Sequence, residues 1–161
     1  MELSGNKAMA LVLVILLMGG SIAIFFMMEM MHQLNPDIHE ESHDYTVVGT
    51  LYEEDCTGTG ESKYTPENSR TYVYSVNLEV KSLNHSEKID FGLIFDKDEK
   101  MVPSVYEYIG EETIGDKTVS VYQYEEKGVN YTYYIGEHCK MIRAHIVSDH
   151  YDIVADIVES S

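Results

Sequence analysis

Thr71-Tyr72-Val73-Tyr74-Ser75-Val76-Asn77-Leu78-Glu79-Val80-Lys81 decides the fold class. Tyr72, Tyr74, Val76, Leu78 and Val80 alternate with mostly polar neighbours. An extended chain sends successive side chains to opposite faces, so this period of two marks a half-buried strand. Neighbouring segments repeat the pattern. Residues 45–52 read as a first strand, followed by a Gly- and Thr-rich link, Thr57-Gly58-Thr59-Gly60. Residues 88–95 follow the quoted stretch through a turn at Asn84-His85-Ser86. Ile114 and Thr118 flank Gly115-Asp116, a two-residue hairpin signal, and Lys127-Gly128 turns residues 119–124 into 129–135. Residues 141–147 and 151–158 finish the series around Asp149-His150. One segment resists: Val102, Val105, Tyr106 and Ile109 fall at helical spacing between Pro103 and Gly110. That spacing predicts a short helix, with a strand as the near alternative. The expected domain is mainly β, a meander of antiparallel hairpins with one short helix.

Ahead of it, residues 8–28 form an unbroken apolar run without a charged side chain. At a helical rise of about 1.5 Å per residue it reaches about 30 Å, the thickness of a bilayer core. Lys7 precedes the run, and no Lys or Arg follows until Lys63. Basic residues stay on the cytoplasmic side of a short flank, which puts the N-terminus inside and the bulk of the chain outside the cell membrane. The expected organisation is a cytoplasmic N-terminus (1–7), a transmembrane signal anchor (8–31), an acidic juxtamembrane stalk (32–44) and an extracytoplasmic β domain (45–161). A cleaved secretory signal is the rival, because Ser21-Ile22-Ala23 has the small-x-small form of a cleavage site. Ile24-Phe25-Phe26-Met27-Met28 continues the apolar run past it and favours retention.

Eleven Lys and Arg stand against 28 Asp and Glu, a net charge of −17. Such a surface repels nucleic acid, whose binding depends on neutralising phosphates. Two cysteines, Cys56 and Cys139, lie beyond the anchor. An even count in an oxidising compartment predicts a disulfide, worth about 4–5 kcal/mol in the chain-entropy model for so long a loop. His138 adjoins Cys139, but adjacent residues on a strand face opposite ways, which argues against a catalytic thiol.

His39-Glu40-Glu41-Ser42-His43 matches the zincin pattern, in which histidines four apart on a helix hold zinc. Here the match sits on a polar stalk with no apolar face to bury and no third ligand in sight, so it reads as chance. His39 and His43 remain candidate metal ligands, as do Asp96 and Asp98 in the turn Asp96-Lys97-Asp98-Glu99, which lacks the glycine and distal glutamate of an EF-hand. Asn84-His85-Ser86 and Asn130-Tyr131-Thr132 are glycosylation sequons; Asn84, in a turn, is the better acceptor and Asn130 begins a strand. Thirteen tyrosines stand against four Phe and no Trp. Tyr122, Tyr124, Tyr131, Tyr133 and Tyr134 form a candidate aromatic ladder and binding surface, since tyrosine joins an apolar body to a polar tip. No catalytic triad spacing, phosphate loop or nucleophile elbow is present in the sequence, so neither an enzyme nor a cofactor is expected.

Residues 108–124, Tyr-Ile-Gly-Glu-Glu-Thr-Ile-Gly-Asp-Lys-Thr-Val-Ser-Val-Tyr-Gln-Tyr, resemble the middle hairpin of the outer-membrane lipoprotein carrier superfamily. That resemblance implies a curved antiparallel half-barrel around helices, with a concave face that takes up acyl chains. The overall plan also resembles small membrane-anchored surface proteins of archaea. The expected function is a single-pass, membrane-anchored extracytoplasmic module with a protein or envelope partner. The alternative is a carrier or chaperone-like domain for a lipid or other apolar ligand, and a remote one is a pilin-like filament subunit processed at Lys7-Ala8.

Overall fold

A computed structural model describes residues 42–68 and 71–159, the side chains of 66–68 excepted. The anchor, most of the stalk and His39 lie outside these residues. Nine strands follow one another: β1 (His43–Leu51), β2 (Glu54–Asn68), β3 (Thr71–Lys81), β4 (Ser86–Asp96), β5 (Glu107–Ile114), β6 (Lys117–Glu126), β7 (Val129–Ile135), β8 (Met141–Val147) and β9 (Tyr151–Ile157). They form one antiparallel sheet in the order β4-β3-β2-β1-β9-β8-β7-β6-β5. Two meanders, β1–β4 and β5–β9, are therefore joined where the first strand pairs with the last, Val47 opposite Ala155.

Two-residue turns make the tight corners. Gly115 opens the β5–β6 turn at φ 63°, and Lys127 and Gly128 take φ 51° and 78° between β6 and β7. Tyr52 and Glu53 do the same between β1 and β2 at φ 50° and 65°, without a glycine. Mirror-image turns of this kind match the strand twist.

Inward-facing residues fill the concave side. Tyr45, Val47, Leu51, Tyr74, Val76, Leu78, Leu93, Phe95, Tyr133, Met141 and Ile153 belong to one buried cluster. Val119, Val121 and Ile142 are buried outside that cluster, and alternation along β6 puts Val119 and Val121 on the face opposite Tyr122. The sheet curls until β4 meets β7 across its concave side: the Phe91 ring lies 5.6 Å from Tyr131 and 5.7 Å from Tyr133. Small residues permit β2 and β3 to approach closely. A side chain at Gly58 would put its Cβ 2.1 Å from the carbonyl oxygen of Glu79, so only glycine fits there.

Three expectations need correction. Thr57-Gly58-Thr59-Gly60 is the interior of β2 rather than a link, because its glycines serve close strand approach instead of a turn. No helix occurs among the described residues: Val105 and Tyr106 both donate to the Val102 carbonyl in a single turn, and β5 then begins. Pairing with β6 and burial of Tyr106 outweigh the helical spacing. The expected disulfide is absent, for Cys56 and Cys139 are both free and buried. Cys56 shares a row with Gly49, Ile153 and Ile146, whereas Cys139 lies in the turn that precedes β8, at the opposite end of that strand. The separation along the strands is on the order of 20 Å, far beyond disulfide reach. Burial, with Glu99 and Asp96 nearby, pushes the Cys139 thiol up to about 12, so it stays protonated at neutral pH.

The two sheet edges are finished differently. Along the C-terminal half of β4, Asp96 N–H donates to the Lys100 carbonyl and Val102 N–H to the Ile94 carbonyl. Ile94 N–H donates to the Tyr106 hydroxyl, which itself donates to the Gly92 carbonyl. One phenol thus stands in for a missing strand. Tyr106→Phe is expected to orphan both backbone groups and lower stability by about 1–3 kcal/mol, read from the urea midpoint at unchanged m-value.

Candidate functional site

β5 is the other edge. Among the described residues it pairs with β6 alone. The two-residue turn makes Ile114 and Lys117 a hydrogen-bonded pair, and alternation then bonds Glu112 to Val119. The backbone groups of Glu111 and Thr113 consequently point away from the sheet. A bulge between Tyr108 and Gly110 leaves Ile109 as the extra residue. Tyr108 and Ile109 are 55 % and 48 % exposed, an apolar step on an otherwise acidic strand.

Near the start of β5 a cleft of about 460 Å³ opens, with Glu107, Gln123, Glu125, Asn130 and Thr132 among its lining residues. Glu107 stands opposite Gln123, and Gln123 opposite Thr132, in one cross-strand row. Glu125 faces Asn130 in the row two residues on. The lining is rich in hydrogen-bond acceptors.

The tyrosine ladder forms in part. Tyr122 pairs with Tyr133 and Tyr124 with Tyr131, all facing inward. Tyr134 pairs with Arg143 on the other face and does not join them. As a binding surface the set needs correcting, because Tyr122, Tyr131 and Tyr133 are buried core. Phe91 and Tyr106, whose roles the sequence did not reveal, close over them; Tyr106 lies 5.5 Å from Tyr124 and 5.8 Å from Tyr133. Burial drives the Tyr133 phenol far above its ordinary range, and its hydroxyl is buried without a hydrogen-bond partner among the described residues.

The other sequence candidates do not converge. Among the described residues no three His, Cys, Asp or Glu side chains are grouped to hold a metal ion. His43 opens strand β1, so the zincin pattern does not end on a helix. Asp96 accepts bonds from the backbone N–H groups of Asp98 and Lys100, and Asp98 pairs with Lys97, which makes that turn self-contained.

Asn84 is engaged as well. Its side-chain nitrogen donates to Glu54 at 2.5 Å, and the same carboxylate accepts from Ser82 and from the Asn84 backbone. Asn130 is exposed on β7. These bonds, led by that from Ser82, hold the Glu54 carboxyl down to about 2 against an ordinary 4.5. A depressed carboxylate contributes its stabilisation fully above its unfolded value and loses it as pH falls through the folded one. The Asn84 side-chain amide resonances are therefore expected to hold their shifts well below pH 4.5 and move only near pH 2; a transition at about 4.5 would contradict the bonding.

No protein-family model matches the sequence, and no curated protein matches it. Loose structural likenesses exist. The Pseudomonas aeruginosa MucA/MucB complex matches at a TM-score of 0.34 and 9% identity, over 75% of this chain and 52% of that one. A domain described as an outer membrane lipoprotein-sorting protein from Vibrio parahaemolyticus matches at 0.28 and 7%, over 79% and 88%. A DUF1329 family protein from Desulfovibrio piger matches at 0.27 and 8%, over 73% and 83%. This chain spans about half the length of the MucB chain. Nothing in these likenesses bears on the archaeal resemblance. At such scores the overlap assigns the chain to no family.

Proposed function

We propose that the chain is a membrane-tethered, extracytoplasmic binding module without catalytic chemistry, which takes an extended segment of a partner protein as an added strand on β5. One observation carries this reading: the exposed backbone groups along the C-terminal half of β4 are covered by residues 100–106, while no described residue covers the outward groups of Glu111 and Thr113 on β5. Strand addition supplies main-chain hydrogen bonds for affinity and leaves specificity to alternate side chains. Thr113→Pro tests it. The substitution removes an outward N–H that no described residue uses, a position where an edge strand tolerates proline. The expected result is a native circular dichroism spectrum together with a loss of partner-segment binding of about tenfold or more; unchanged binding would refute the edge.

A second reading, a carrier for an apolar ligand on the concave face, is favoured by the Tyr133 hydroxyl, which has no hydrogen-bond partner among the described residues and lies among aromatic rings. The ligand would have to displace rings that already fill the space. Saturable uptake of a fluorescent fatty acid, insensitive to Thr113→Pro, would establish the carrier over the edge.

A further inference from the structure

The cleft beside the edge identifies the chemistry of the added strand. Resting on the reading of β5 as the docking edge, we propose that the partner segment is basic and lodges an arginine side chain in the cleft between Glu107 and Glu125.

The cross-strand row sets the geometry. A residue added opposite Glu107 extends the row Glu107–Gln123–Thr132, and its side chain projects on their face. A long side chain from that position enters the cleft, where Glu125 and Asn130 lie one same-face step further on. Glu107, Gln123, Glu125 and Asn130 are all exposed, so nothing in the sheet must open to admit it. On the face of that row the lining offers the carboxylates of Glu107 and Glu125, the side-chain amides of Gln123 and Asn130 and the Thr132 hydroxyl, with Val105, Tyr124 and Tyr131 completing the cleft. Arginine is the complementary side chain: five N–H donors in a planar fork, no acceptor, and a positive charge at every physiological pH.

Charge excludes the competing occupants. Between Glu107 and Lys127 the β5–β6 hairpin carries Glu107, Glu111, Glu112, Asp116, Glu125 and Glu126 against two lysines, Lys117 and Lys127. A second copy of the chain paired through β5 would bring Glu107, Glu111 and Glu112 into register with their like. An acidic partner meets the same repulsion. A basic strand is drawn to the edge before any contact forms.

The test uses the full-length chain and three labelled ten-residue peptides of alternating Thr and Val, identical save for one central residue, Arg, Ser or Glu, followed by fluorescence anisotropy. The Arg peptide is expected to bind about tenfold tighter than the Ser peptide, and the Glu peptide weakest. Glu107→Gln with Glu125→Gln should shrink the Arg preference to about threefold or less while leaving the Ser peptide unaffected. Thr113→Pro should weaken all three. Equal binding of Arg and Ser peptides, or an Arg preference intact in the double variant, overturns the arginine site and leaves the edge standing. Peptide binding indifferent to Thr113→Pro, or no binding of any peptide, overturns the edge and the site together.

Discussion

Gly49→Ala is expected to lower stability by about 3 kcal/mol or more, a large share of the roughly 5–15 kcal/mol that holds a typical domain folded. Two independent costs meet at this residue. Its φ of 154° lies where an L side chain is strained, and an added Cβ would fall 2.1 Å from the Asp152 carbonyl oxygen and 2.7 Å from the Ile153 Cα. Both contacts are backbone atoms of β9, so relief requires moving the strand that joins the two meanders. Gly110→Ala separates the two costs. That residue has a similar φ of 140° but nothing within 4 Å of the point a Cβ would occupy, so only strain remains, about 1–3 kcal/mol. Urea unfolding of both variants checks the pair, and a Gly49 variant no less stable than the Gly110 variant would mean that β1 and β9 are not locked at this distance.

Phe95→Ala carries a comparable cost, about 3–5 kcal/mol, by a different route. The Phe95 ring is 0 % exposed and stands edge-on to Tyr74, with centroids 5.9 Å apart. It also faces Met101 in the bridge that begins the cover on β4. Truncation therefore empties a core position and loosens the segment holding the covered edge. Leu83→Ala, at a residue 92 % exposed, should be nearly neutral by the same urea measurement. A Phe95 loss below about 1 kcal/mol would show that this end of the concave side collapses to fill the gap.

Much of the sheet is legible in the sequence because most strands bury one face only. Alternation at Tyr74, Val76, Leu78 and Val80 reports that directly, and Gly115-Asp116 and Lys127-Gly128 mark turns by residue types that tolerate positive φ. The β1–β2 turn carries no such mark. Tyr52 and Glu53 enter the left-handed region unaided by glycine, while the Tyr52 ring lies 4.4 Å from His85 and 4.9 Å from His150, a tertiary arrangement invisible to local reading. Gly58 and Gly60 misled for the complementary reason: their role is to let β3 approach, and closeness of strands leaves no local pattern. The candidate site was the least legible part. Whether an edge is open depends on what lies beside it, and Tyr106 covers an edge through a hydroxyl that sequence spacing cannot aim. Cys56 and Cys139 failed as a pair because an even count carries no information about which ends of the sheet the residues occupy.

The pairing of β1 with β9 also bears on how the protein comes into being. Tyr45 finds Ile157 across that seam, and Val158 N–H donates to the Asp44 carbonyl, so the domain's beginning waits on its end. During synthesis, β1–β4 emerge first and can form a ribbon, but its concave side stays bare until the last strand has left the ribosome. Such long-range closure is slow, and the waiting ribbon is exposed to wrong partners. A premature stop before Tyr151 would consequently cut the sheet in two and leave raw edges at β1 and β8 in addition to β5, a species fit for aggregation or proteolysis rather than a weakened version of the whole.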